Sequence, residues 1–153
     1  MKKLFFLSVI MFLVVNTFAQ PKIYSNEYAE KMREIEAKYK DAIGVDSTSA
    51  IFYKDKDTEK FYNIWVLFLS DMSKYFRANN LVLNEKLFFR VFFSNDGKIE
   101  YLFYNPLKKD SALLEKKNKK RFEKLLKAFA KSYKIDIELN ERFKQCGVGN
   151  FQM

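Results

Sequence analysis

Histidine is absent from this 153-residue chain, and cysteine occurs once, at position 146. The first absence removes His-based triads, imidazole general bases and His-ligated metals. The second excludes an intramolecular disulfide and a multi-cysteine zinc site. Carboxylates, lysines, tyrosines and the one thiol are left as catalytic side chains, and none stands in a recognisable catalytic spacing. No catalytic, metal or cofactor site is therefore expected, and Cys146, beside Gly147, reads as a small packing residue. With two prolines and four glycines the chain has no Pro-rich spacer, low-complexity linker or internal repeat. Its length suits one domain.

Long apolar runs are equally scarce. The one that stands out is at the start, MKKLFFLSVIMFLVVNTFAQ. Lys2 and Lys3 form a basic region, Leu4 to Val15 an apolar run, and Thr17-Phe18-Ala19 a small-residue cleavage end. The run is short for a membrane span of about 20 residues. We read residues 1–19 as a signal peptide and 20–153 as a single exported domain, periplasmic or secreted, with no transmembrane segment after cleavage. Loss of the two lysines lowers the formal charge from +9 to +7, since residues 1–19 hold no acid.

What is present is aromatic and patterned. Leu87 to Asn105 reads LFFRVFFSNDGKIEYLFYN, two β-rich runs around Ser94-Asn95-Asp96-Gly97. Gly97 accepts a positive φ and Asn95 and Asp96 favour turns, so a tight hairpin is predicted. Alternation places Leu87, Phe89, Val91 and Phe93 on one face and Phe88, Arg90 and Phe92 on the other. On the second strand it groups Ile99, Tyr101 and Phe103 apart from Glu100, Leu102 and Tyr104. Phe88, Arg90, Phe92, Leu102 and Tyr104 thus fall on one wetter face. Either a further layer, such as the first helix, covers that face, or it is an exposed aromatic binding patch.

Three helices are predicted around the hairpin, at about 25–43, 58–79 and 111–131. The first has a stripe of Tyr28, Met32, Ile35, Tyr39 and Ala42, with Ser25 or Asn26 to cap it and Gly44 to end it. The second carries Phe61, Trp65, Phe68, Met72 and Phe76 on one face; Val66, Leu67 and Leu69 widen that surface, and Trp65 reads as a core anchor. Asn79 and Asn80 can terminate it. Residues 46–49 read as loop and 50–53 as a short strand or connector. Residues 133–139 alternate strictly and predict a strand. Residues 145–153 predict an edge strand or tail loosened by glycines. The class is α+β, with an antiparallel sheet of three to four strands built on the 87–105 hairpin.

The third helix adds a ridge. At roughly 100° per residue, Lys117, Lys120, Lys124, Lys127 and Lys131 lie within about 80° of one another, opposite the apolar stripe. Such a ridge is a solvated face, or a surface for an anionic membrane or an acidic partner. Export and the absence of a base-reading motif argue against nucleic acid.

The segment Phe89-Arg90-Val91-Phe92-Phe93-Ser94-Asn95-Asp96-Gly97-Lys98-Ile99, with the helix and strand expected after it, resembles the hairpin of TonB C-terminal-domain-like proteins. With the leader, residues 58–153 are similar to small exported members of that group in Gram-negative bacteria. No Tyr-Pro pair, Pro-rich spacer or retained N-terminal membrane helix is present. The resemblance therefore implies a sheet with a free edge for a partner's extended segment rather than energy transduction. The expected function is a non-enzymatic binding module of the cell envelope that engages a protein partner by sheet edge or aromatic face. The alternatives are a membrane-surface binder acting through the lysine ridge, and a carboxylate-dependent hydrolase drawing on Asp96, Glu100, Asp136 and Glu138.

Overall fold

The computed structural model describes residues 20–25, 28–44 and 49–151. The leader, the capping Asn26, most of the 46–49 loop and the last two residues lie outside this set. The architecture is α+β. Five strands, β1 (Lys22–Ser25), β2 (Lys40–Asp41), β3 (Lys86–Phe93), β4 (Ile99–Pro106) and β5 (Phe143–Asn150), form one sheet of order β1-β4-β3-β5-β2. The helices are α1 (Ala29–Glu36), α2 (Asp55–Ala78) and α3 (Lys116–Ser132), with a 3₁₀ turn at Ala112–Leu114. Among the described residues no helix is long and apolar enough to cross a membrane.

The hairpin forms where local chemistry demands it. Gly97 has φ +84, and its amide donates to the Ser94 carbonyl at 3.0 Å. β3 and β4 pair antiparallel from Leu87↔Pro106 to Phe93↔Ile99. The sheet around them is larger than expected and mixed. β3 pairs antiparallel with β5 over its whole length, while β1 joins β4, and β2 joins β5, in parallel.

α2 and α3 pack on one face of the sheet. That core holds Leu87, Phe89, Val91, Phe93, Leu102 and Phe143 from the strands, with Phe61, Phe68, Met72, Phe76, Phe122 and Leu126 from the helices. α1 lies on the opposite face, where Ile35 and Tyr39 bury Phe92 and Phe103.

Five sequence expectations need correction. The first helix does not run from 25 to 43. Ser25 belongs to β1, Lys40–Asp41 to β2, and only Ala29–Glu36 is helical. Its ends are drawn into the sheet, where backbone pairing replaces helical bonds, so Ser25 is no cap and Gly44 no terminator.

The alternation of β4 is broken. Phe92 pairs with Tyr101 but Phe93 with Ile99, so Glu100 is an extra residue in a β-bulge. The phase shifts there. Ile99, Leu102 and Tyr104 all enter the main core, whereas Phe103 and Tyr101 turn towards α1.

Residues 133–139 are not a strand. Lys134 makes one isolated bridge to Lys98, while Ile135 and Leu139 donate to the Gly97 and Asn95 carbonyls at 3.1 and 2.8 Å. The segment straps the hairpin tip. Its apolar members still face inward, with Ile135 buried and Ile137 and Leu139 packed against the core.

The strand alternative for 145–153 holds, but β5 lies between β3 and β2 rather than at the edge. A Cβ at Gly147 would stand 2.7 Å from Trp65 Nε1, and one at Gly149 2.7 Å from Phe151 Cε2. The glycines that suggested a loose tail are the positions where α2 and Phe151 approach the sheet most closely. Val66 and Leu67, expected to widen the buried face of α2, are instead exposed.

Candidate functional site

A strand exposes backbone donors and acceptors wherever a neighbour is missing. Among the described residues β1 is hydrogen-bonded to β4 alone and forms one end of the sheet. Its side chains are anchored on both faces. Ile23 packs on the main core, and Tyr24 stacks on Phe103 with ring centroids 5.0 Å apart. β1 borders a cleft of about 620 Å³ between the strand and α3, lined by Lys22, Ile23, Tyr24, Glu123, Lys124 and Lys127. Two contacts tie α3 to this end of the sheet, one to β1 and one to β4. Lys119 Nζ donates to Ser25 Oγ at 3.2 Å, and Tyr104 Oη donates to Glu123 at 2.8 Å. The other end of the sheet is also only partly covered. β2 pairs with β5 at Phe143 and Lys144 and no further.

The residues grouped from the sequence as an aromatic face are distributed by the structure. Leu102 and Tyr104 lie in the main core and are buried, a consequence of the bulge at Glu100. Phe92 is fully buried under α1, edge-on to Tyr39 at 5.0 Å. Phe88 and Arg90 are half-buried, Phe88 on the part of that face that α1 leaves open, opposite the exposed Val148. Arg90 is ion-paired with Glu36 and lies 6.0 Å over the Phe88 ring. The guanidinium therefore ties α1 to the sheet. Cys146, across from Arg90, is exposed and free, contrary to the packing role read from its neighbour.

The carboxylates singled out from the sequence are engaged or exposed. Glu100 accepts from Tyr39 Oη at 2.5 Å and lies 3.4 Å from Arg142. Burial, then the bond to Glu100, pushes the Tyr39 phenol well above its ordinary range. Asp96 is held down at about 2 by its contacts with Lys98 and Ser94 in the hairpin turn. Asp136 and Glu138 are exposed on the strap. Tyr133 is pushed up by burial and by its bond to Asp71. Among the described residues no cluster of His, Cys, Asp or Glu could hold a metal ion.

A second cleft, of about 570 Å³, runs between residues 80–85 and the start of α3. Sequence reading missed its key residue, Glu85, which is buried and accepts from Ser111 Oγ and from the Ala112 amide at 3.0 Å. Glu85 thereby caps the 3₁₀ turn. Arg121 donates to the Asn79 and Asn80 carbonyls at 3.3 and 2.9 Å. The polar groups here serve the fold. Among the described residues no buried side-chain polar atom lacks a partner.

The five ridge lysines, Lys117, Lys120, Lys124, Lys127 and Lys131, are all exposed on the outer side of α3. Two of them, Lys124 and Lys127, reach the β1 cleft. The edge was legible in outline, since Lys22-Ile23-Tyr24-Ser25 alternates, but four residues are too few to distinguish a strand from an extended entry segment. No protein-family model, curated protein or solved structure matches this chain.

Proposed function

We propose that this chain is an exported, non-enzymatic binding module of the cell envelope that engages a protein partner through the open edge of its sheet. The observation that carries this reading is β1. Among the described residues it is a strand with no neighbour on its outer side, anchored on both faces and bordered by a cleft of about 620 Å³. Main-chain bonds along such an edge supply affinity for any extended chain. Lys22, Lys124 and Lys127 at the cleft favour a segment with acidic side chains. The half-open patch around Phe88 and Val148 is the secondary contact surface on the opposite face.

Site-specific photocrosslinking in the producing cell tests the reading. A benzophenone side chain is placed at Lys22 on β1, at Phe88 on the open face, and at Lys60 on the exposed side of α2 as control. A discrete protein adduct from position 22, with none from position 60, is the expected result. Adducts absent from both 22 and 88, or no stronger there than at 60, would remove the basis for a sheet-edge binding module.

A further inference from the structure

The positive charge of this protein is concentrated on one helix. α3 carries eight cations against one carboxylate, Glu123. With the two leader lysines set aside, the rest of the chain holds eighteen cations and eighteen carboxylates. The net charge of residues 20–153 is therefore that of α3. Glu123, which accepts from Tyr104 and borders the β1 cleft, offsets only one of these charges. Arg121 is turned onto the Asn79 and Asn80 carbonyls. What remains outward is lysine, and among the described residues no carboxylate lies within ion-pairing distance of Lys117, Lys120, Lys124, Lys127 or Lys131.

A second feature adjoins this face. Leu107 and Leu114, at the entrance to α3, are 49% and 59% exposed. Leu114 lines a cleft of about 340 Å³ with Pro106 and Lys119, and Lys108 lines the cleft of about 570 Å³ with Asn118 and Arg121, so these groups border the start of α3. Lys108 and Lys109 follow Leu107 and are exposed as well. Exposed leucines rimmed by lysines have no use for a solvated surface or a phosphate backbone, but they suit a boundary that is anionic at its rim and apolar just beneath.

We infer that the outer face of α3, with Leu107 and Leu114 at its leading end, docks this protein onto an anionic lipid bilayer. Lysines serve here as point charges. A fluid headgroup layer needs no bidentate geometry, which is what arginine would add for phosphate on a nucleic acid. The convex helix lies along the membrane plane, the lysines meet the headgroups, and the two leucines reach the acyl boundary. Lys117, Lys120 and Lys131 lie outside the β1 cleft, so docking through them does not depend on what occupies the β1 edge.

The test is co-sedimentation of the purified protein with phosphatidylcholine vesicles, with and without phosphatidylglycerol. Binding is expected only to the anionic vesicles, and it should weaken with salt as the screening length shortens. Each lysine at such a surface strengthens partitioning by about fivefold, so Lys117→Gln with Lys120→Gln, both outside the β1 cleft, lowers it by about twenty-five-fold. Both residues are exposed, and an unchanged melting temperature separates lost binding from lost folding. Leu107→Ser with Leu114→Ser lowers partitioning several-fold at constant charge. Equal binding to neutral vesicles, or binding unmoved by the lysine changes, overturns the inference. So does a leucine variant that binds vesicles like the parent while a labelled DNA duplex binds as tightly, since the face would then be a general polyanion surface.

Discussion

Replacing Phe92 by alanine tests whether α1 is a second layer or a loosely attached strap. The Phe92 side chain is fully buried although it points away from the main core. Its ring lies 5.0 Å from Tyr39, 5.7 Å from Phe103 and 6.3 Å from Tyr101. Deleting a buried Phe costs about 3–5 kcal/mol through lost transfer energy and the cavity left behind. Aromatic pairs of this geometry add about 0.5–1.5 kcal/mol each beyond area burial. The upper half of the range is therefore expected, about 4 kcal/mol, a large part of the 5–15 kcal/mol that holds a typical domain folded. Phe88 stands on the same face of the same strand, but in the part that α1 leaves open. Phe88→Ala should cost about 1 kcal/mol. Urea denaturation followed by the fluorescence of Trp65, the sole tryptophan, measures both. The residue lies against Gly147 in the main core and reports global unfolding rather than loss of α1 alone. If Phe92→Ala costs no more than Phe88→Ala, α1 does not seal this face and the two-layer reasoning fails.

Gly147→Ala places a methyl group 2.7 Å from Trp65 Nε1 and 3.2 Å from Cε2; overpacking of this kind costs about 1–3 kcal/mol, and Trp65→Phe in the same chain should recover part of it. A loss from Gly147→Ala that Trp65→Phe leaves unchanged would place the strain elsewhere. The hairpin turn gives a pH signature. Asp96, held at about 2, contributes stability above the ordinary carboxylate range that is lost as pH falls towards 2. The pair with Lys98 is solvent-exposed, so the amplitude should stay below about 1 kcal/mol. Comparing urea midpoints of Asp96→Asn and the parent between neutral and acid pH isolates this contribution, and identical pH slopes would contradict it.

How much of this was legible in the sequence depended on how local each cause was. The 94–97 turn follows from Gly97 and its polar neighbours, and α2 from a long stripe of aromatic residues, which needs no knowledge of what it packs against. The inward members of β3 were equally readable, since alternation held from Leu87 to Phe93. The apolar side of the 133–139 segment was also read correctly, though its backbone bonds go to the hairpin tip rather than to a ladder.

Pairing between distant parts of the chain decided the rest. The four-residue β1 and two-residue β2 are strands only because β4 and β5 lie beside them. In isolation Lys22–Tyr24 is no more than an extended entry segment, and Lys40–Asp41 continues the helical reading of 25–43. The single extra residue at Glu100 moved Leu102 and Tyr104 out of the proposed face and into the core. β5 owes its place to glycines that leave room for Trp65 and Phe151. Charge and composition along α3 could be counted without coordinates, because helical spacing alone groups its lysines. That its carboxylate bonds to Tyr104, while two leucines stay exposed near the start of the helix, required the tertiary fold, where partners are chosen by proximity in space rather than along the chain.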